Sequence, residues 1–367
     1  MKKVFLFCSA LLAALSSKGQ ESQLKDWMLG PFYKIDEVNP ILRPAQNTVF
    51  RDPMRNTNVA WEAMHVFNPA AVVKDNKVYL LYRAEDSTGT GIGGHTSRIG
   101  LAVSEDGKNF KRYPHPVVYP ANDISKKYEW DGGCEDPRVV QSADGTFVMT
   151  YTMWDRKLAR IGVATSKDLI HWTKHGSAFE KAYGGKFKEI WSKSASVICE
   201  LKGGKFLAKK INGKYWMYWN EATINLATST DLVNWTPVLD QNGELLKVFT
   251  MRKGKFDSGL VEPGPPAVVT DKGIVFLYNG KNAENDGDPD LPVNTYSAGQ
   301  ALLDPKDPAK LLDRSDVYFI KPEKQYEITG QYTAGTVFIE GLVYFKNRWL
   351  LYYGTADSKV AVAESKK

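Results

Sequence analysis

The chain has 367 residues, 43% hydrophobic and 12% aromatic, with a formal net charge of +6. The positive excess is small and spread along the chain, without the dense Lys/Arg clusters that grip nucleic acid, so no nucleic-acid partner is expected. Beyond the N-terminus no run approaches eighteen apolar residues, which argues against a helical membrane span.

The first segment reads as a leader. Met1, Lys2 and Lys3 are a short positive region, residues 4–15 are apolar, and Ser16, Ser17, Lys18, Gly19 and Gln20 are small or polar. That order predicts a signal peptide over residues 1–20 and export to the periplasm or beyond. Cys8 sits within the apolar run after Phe7, so no lipoprotein anchor is expected. Residues 21–367 are expected to form one domain. Cys134 and Cys199 remain; they are compatible with a disulfide in an oxidising compartment and equally with incidental buried thiols.

From residue 70 onward the chain repeats itself. Residues 70–86 read as two strands around an Asp-Asn turn. Residues 138–154 repeat this with Asp144-Gly145, residues 204–221 with Asn212-Gly213, residues 266–282 around Asp271-Lys272-Gly273, and residues 336–357 make a fifth copy. Asp-Gly and Asn-Gly between apolar runs are strong hairpin signals. A third strand follows, and three copies end in a shared pattern: "LAVSEDGKNF", "VATSKDLIHW" and "LATSTDLVNW". Their aspartates, Asp106, Asp168 and Asp231, recur every 62 to 63 residues. A fixed period of short strands, with no helical periodicity, predicts an all-β fold, a five-bladed β-propeller. An N-terminal strand would complete the shortened last blade. A β-sandwich of similar strand count is the rival, disfavoured by the shared period.

In a propeller, residues entering each innermost strand, and residues after the second strand, face the axis. The entry positions are Asn68-Pro69, Glu135-Asp136-Pro137, Glu262 with Pro263-Gly264-Pro265, and Thr336. The loop positions are Arg83 and Glu85, Asp155 and Arg156, Asn220 and Glu221, Asn279 and Lys281, and Asp357. Carboxylates from several blades would then converge. Crowded like charges raise one another's pKa and separate a proton-carrying acid from an ionised base, the pair that glycoside cleavage requires. The competing reading is structural ion pairs from these acids to Arg138, Arg83 or Lys209.

At this point the residues carry a family likeness. "GGCEDPRV", "FNPAAV", "YRAED", "EPGPPAV", "YSAGQALLDPKDPAKLLDR" and "YEITGQYTAGTVF" stand in an order that resembles glycoside hydrolase family 130 over nearly all of the chain. The resemblance implies a five-bladed propeller acting on a β-mannoside oligosaccharide; the sequence itself carries no cofactor motif, and no metal is expected. It implies that Asp136 is the proton donor, acting through a hydroxyl of the bound mannose. It places Asn68, Arg83, Glu85, Tyr296 and Asp357 around that mannose. Glu135, Arg138, Lys209 and Asn279 are counted with the same binding shell.

Many members of the family are phosphorylases, which hold phosphate with arginines, a lysine and a histidine. This chain departs there. It has "YWNEAT" with Glu221 where phosphorylases carry Arg-Pro, "YNGKN" with Asn279 where they carry a histidine, and "WSKSASV" where Asn-Arg-Asp or Asn-Lys-Asp is common. Glu262 stands just ahead of the Gly-Pro-Pro element. Exchanging cations for carboxylates disfavours a phosphate dianion and suits activation of water. The expectation is therefore inverting hydrolysis in the β-1,2-mannosidase branch, with Asp136 as acid and Glu221 or Glu262 as base. The rivals are a phosphorylase using Arg156, Arg160, Lys209 or Lys210, and a non-catalytic glycan-binding protein.

Trp130, Trp154 and Trp219 are candidate stacking platforms for the leaving sugar. The glycine-rich residues 89–94 read as a flexible loop over the pocket. His171 and His175 are too poorly placed for a zinc site, and the acidic residues 282–292 read as a solvated loop rather than a calcium site. The sequence leaves self-association open.

Overall fold

The computed structural model describes residues 24–365; the leader expected over residues 1–20 lies outside them. The described chain is all-β, and no described helix is long and apolar enough to cross a membrane.

Most of its described strands fall into five antiparallel groups, and Phe50–Asp52 pairs with Thr57–Val59 as a separate two-stranded sheet. The first runs His65–Lys74, Lys77–Glu85, Ser97–Ser104 and Lys111–Arg112, each paired with the next. The second repeats this with Gly133–Gln141, Phe147–Trp154, Ala159–Ser166 and Thr173–Ser177. The fourth has Leu260–Pro263 and Ala267–Val269 together facing Ile274–Lys281, then Tyr296–Leu303 and Leu311–Arg314. The fifth has Val337–Phe345, Arg348–Thr355 and Lys359–Ser365, and Tyr33–Lys34 supplies its outer strand. The N-terminal strand thus completes the last sheet, as expected.

The third sheet differs from the sequence reading. Ser196–Lys202 is its first strand, and it folds back on Lys205–Ala208 through Gly203 and Gly204, which have φ of 58° and 77°. The chain then reaches Lys214–Trp219, which pairs with the start of that same first strand and with Thr223–Ser229. The inserted hairpin disguises where this sheet begins.

Local chemistry accounts for the repeats. At Asp75-Asn76, Asn212-Gly213 and Lys346-Asn347 both central residues have positive φ, the turn whose twist matches paired strands. In each Ser-x-Asp turn the serine hydroxyl and the aspartate accept main-chain N–H bonds, as Ser166 does from Asp168 and Leu169 and Asp168 does from Ile170 and His171. A second repeat lies inside. Tyr82, Tyr151 and Tyr278 pair across the sheet with Gly100, Gly162 and Gly299. Each tyrosine lies across its glycine and donates its hydroxyl to a buried acid, to Glu62 at 2.8 Å, Glu129 at 2.7 Å and Asp257 at 2.8 Å. Tyr353, which faces Ala361 and not a glycine, likewise donates its hydroxyl to the buried Glu327 at 3.0 Å.

The first strands of three sheets carry a β-bulge, between Phe67 and Pro69, Glu135 and Arg138, and Ile339 and Gly341. A bulge re-aims one side chain out of the alternation. The residues within these bulges include Asn68, Asp136 and Glu340. In the fifth sheet it is therefore Glu340, not Thr336, that takes this place. Cys134 and Cys199 are buried free thiols.

Candidate active site

All five sheets contribute to one cavity of about 310 Å³. Its lining includes Asn68 and Arg83 from the first sheet, and Glu135, Asp136 and Trp154 from the second. Trp191, Lys193 and Glu221 come from segments flanking the third. Glu262 and Tyr296 belong to the fourth, and Asp357 to the fifth. The sequence-predicted residues Asp136, Glu221, Glu262, Asn68, Arg83, Glu135, Tyr296 and Asp357 are thus brought together.

Arg83 organises the floor. Its guanidinium reaches Glu85 at 2.6 Å, Glu135 at 2.8 Å and Asp136 at 3.3 Å, and donates to Ser97 at 3.2 Å. Ser97 in turn donates to Glu135 at 3.1 Å. Asn68 donates to Asp136 at 2.9 Å. Asn68, Asp136 and Asp357 hold φ of 46°, 47° and 49°, strained backbone of the kind that collects at functional sites.

Burial pushes the carboxyl pKa values of Glu135, Asp136, Glu262 and Asp357 up, and nearby cations oppose it. Glu135 is pushed up to about 7 by burial, against the pull of Arg83. Asp357 is pushed up to about 7 for the same reason. Asp136 is buried too, but Arg83, Lys193 and the Asn68 amide outweigh burial and hold it below the usual range. Glu262 is raised, by burial first and by the nearby Glu221 charge, with Lys193 opposing.

Three further side chains of the site come from residues 191–194, to which the sequence assigned no role. Lys193 lies 3.3 Å from Glu262 and 3.9 Å from Asp136. Ser194, at φ 53°, donates to Glu262. Trp191 donates its indole N–H to Glu221 at 2.9 Å. The run is fastened at both sides: the Ser192 N–H bonds Ala159 O at 2.9 Å, and the Asn220 N–H bonds Lys193 O at 2.9 Å. It is the entry to the third sheet, and its signal was hidden by the extra Gly203-Gly204 hairpin.

Four predicted binding residues sit elsewhere. Asn279 is buried and spends its amide on the main chain of Ile339, donating at 3.1 Å and accepting at 2.7 Å, so it ties the fourth sheet to the fifth. Arg138 lies under the floor, donating to Gly264 O and Pro263 O and pairing with Glu340 at 2.8 Å. Lys209 pairs with Glu200 at 2.8 Å, outside the cavity lining. Glu85 stands behind Arg83 and also accepts from Gln331 at 3.0 Å.

Of the stacking candidates, Trp154 lines the cavity, Trp219 is fully buried, and Trp130 lies outside the lining. Ile92 and Gly93 of the glycine-rich loop do reach the cavity. Among the described residues, His65, Glu85 and His95 place ligand atoms within 4.8 Å of one another. Both oxygens of Glu85 are already engaged, and His65 Nδ1 meets Ser358 Oγ at 2.9 Å, so the cluster reads as a hydrogen-bonded support for Arg83. His171 and His175 pair separately with Asp168 and Thr165.

An all-β scaffold that gathers five acids around a polar cavity defines a carbohydrate-processing site. The comparisons narrow the class. The glycoside hydrolase family 130 model, described as beta-1,4-mannooligosaccharide phosphorylase, matches residues 32–367. The chain is 33% identical to a 1,2-beta-oligomannan phosphorylase of Thermoanaerobacter sp. strain X514, over 83% of this chain and 90% of that one. A solved structure bearing the description that the GH130 family of mannoside phosphorylases contains glycoside hydrolases that target beta-1,2 mannosidic linkages in Candida mannan superposes with a TM-score of 0.92. It is 53% identical, over 93% of this chain and 95% of that one. A glycosyl hydrolase from Bacteroides ovatus gives a TM-score of 0.91 at 52% identity, over 93% and 95% of the two chains. The chain belongs to glycoside hydrolase family 130 and is an enzyme of mannoside processing that acts on β-mannosidic linkages.

Proposed function

We propose that this protein is an exported, five-bladed propeller that removes β-1,2-linked mannose by inverting hydrolysis. The observation that carries the choice of water over phosphate is the charge of the cavity. Glu135, Asp136, Glu221, Glu262 and Asp357 line it, against only Arg83 and Lys193 as cations. Both cations are already matched by carboxylates. A phosphate dianion needs uncommitted donors and positive charge. Arg156, Arg160, Lys209 and Lys210, the alternative phosphate ligands, all lie outside the lining.

Asp136 delivers the proton and Glu221 and Glu262 hold and deprotonate the water. In the free protein the Glu135–Asp136 pair keeps its proton on Glu135. When a mannosyl unit takes Arg83 and Asn68 onto its hydroxyls, Asp136 loses the donors that keep it ionised, and the proton moves to it for delivery to the leaving oxygen. Glu262, beneath Lys193 and Ser194, fixes one side of the water while Glu221 at the cavity rim takes its proton.

The test is a product assay on β-1,2-mannobiose with and without inorganic phosphate. Free mannose at equal rates in both is expected, with turnover in Asp136→Asn down about 10³-fold and sugar binding retained. Mannose 1-phosphate formed only with phosphate would make the enzyme a phosphorylase. Binding without either product would make it a lectin-like protein.

A further inference from the structure

The cavity has two unlike halves. The floor is charged: Arg83, Glu135, Asp136, Lys193, Glu262 and Asp357. One wall is apolar. Trp154 and Trp191 meet edge to face with centroids 6.0 Å apart, and Ile92 joins them from the glycine-rich loop. Trp154 is tied to that loop by its indole N–H, which donates to Gly93 O at 3.2 Å. Ile92 and Trp191 are both solvent-exposed, at 62% and 40%. Exposed apolar rings and chains beside a charged floor are the surface that the C–H face of a sugar covers.

Trp191 differs from Trp154 in that its polar atom holds a carboxylate and not a loop carbonyl. Its indole N–H donates to Glu221 Oε1 at 2.9 Å, while its ring edge stays open to the cavity. The main chain around it is clamped at Ser192 and Lys193. A sugar that packs against this ring therefore immobilises the group that orients the Glu221 carboxylate at the cavity rim.

We propose that Trp191 is a positioning residue that couples the leaving-group sugar to Glu221. The unit beyond the scissile bond packs on the Trp154–Trp191 wall, and the same contact fixes Glu221 through the indole N–H. This assignment rests on the reading that Glu221 acts on the nucleophile. It gives the enzyme a reason to turn over mannobiose faster than an equally reactive mannoside whose leaving group does not fill the wall.

The two functions of one side chain separate by substitution. Trp191→Phe keeps a ring and loses the N–H; Trp191→Ala loses both. With β-1,2-mannobiose, Trp191→Phe should keep the wild-type KM and lower kcat about tenfold, the worth of one hydrogen bond to a charged group. Trp191→Ala should also raise KM several-fold. In a Glu221→Ala background, Trp191→Phe should cause no further fall in kcat, which a general loosening of the fold would not reproduce. Trp191 is 40% exposed, so Trp191→Phe, which keeps a ring against Trp154, should leave the melting temperature close to wild type. Wild-type kcat in Trp191→Phe, or an undiminished additive effect in Glu221→Ala, overturns the assignment. The products of the wild-type reaction are read in the same assays: phosphate-dependent mannose 1-phosphate would sink the hydrolytic reading, while the Trp191 comparison stands or falls on its own kinetics.

Discussion

Asp136 and Glu135 are neighbours in sequence, share Arg83, and yet are driven in opposite directions, Asp136 down and Glu135 up to about 7. If Glu135 stores the proton that Asp136 delivers, activity falls as pH rises through about 7, because the proton leaves the pair. Glu135→Gln cannot store it, and the descending limb of kcat/KM should move down by about one pH unit or more; an unchanged limb would remove Glu135 from the proton path. The residue scale is also where the sequence was least legible. The bulge residues Asn68 and Asp136 were found because an Asn-Pro and a Glu-Asp-Pro stand at visible strand starts. Lys193, Ser194 and Trp191 were not, because the Gly203-Gly204 hairpin displaced the apparent start of their sheet. Asn279 and Arg138 occupied positions that a single sheet would turn toward the axis. Neighbouring strands supply backbone partners at Ile339, Pro263 and Gly264, and such partners leave no trace in the pattern of one strand.

The sheets themselves were legible because they carry local chemistry that needs no knowledge of their neighbours: a turn with two left-handed residues in the first, third and fifth, a Ser-x-Asp cap in the first three, and apolar strands throughout. The tyrosine that crosses a glycine and reaches a buried acid is a longer-range device, since the acids lie outside the hairpin, at Glu62, Glu129 and Asp257. It pins the segment ahead of each sheet to that sheet's second strand. The glycine is required for space. A Cβ on Gly162 would sit 2.6 Å from the Tyr151 ring and 2.8 Å from Met153, and the ring cannot retreat while its hydroxyl is held by Glu129. Gly162→Ala should therefore cost about 1–3 kcal/mol despite its gain in helix-independent chain stiffness. Combined with Tyr151→Phe, which frees the ring, Gly162→Ala should lose less than the sum of the two single losses, a coupling readable in a double-mutant denaturation cycle. Strictly additive losses would show that the glycine is not there for the ring.

The fifth sheet is held to the start of the chain, and this joint is made by few residues. Tyr33 and Lys34 pair with Glu364 and Ala363, the Asn39 side chain exchanges hydrogen bonds with the main chain of Val362, and Leu42 bridges Val360. Lys34 adds a buried ion pair, 2.7 Å from Glu327, and donates to Lys321 O at 2.7 Å. Glu327 is itself the acid that anchors Tyr353, so the N-terminal strand is fastened to the same support that holds the fifth sheet. The joint closes a contact some three hundred residues apart in sequence, where every sheet between must already be in register. Removing one partner of a buried pair leaves the other charge uncompensated. Lys34→Met should cost about 3 kcal/mol. The Lys25–Asp313 pair crosses nearly the same sequence distance at the same separation of 2.7 Å, but both side chains are 37% exposed. Lys25→Ala should consequently cost less than about 1 kcal/mol. The comparison by chemical denaturation isolates burial from topology. If the two variants lose equal stability, the joint between the N-terminal strand and the fifth sheet is carried by its backbone pairing, and the Lys34–Glu327 bridge is incidental to it.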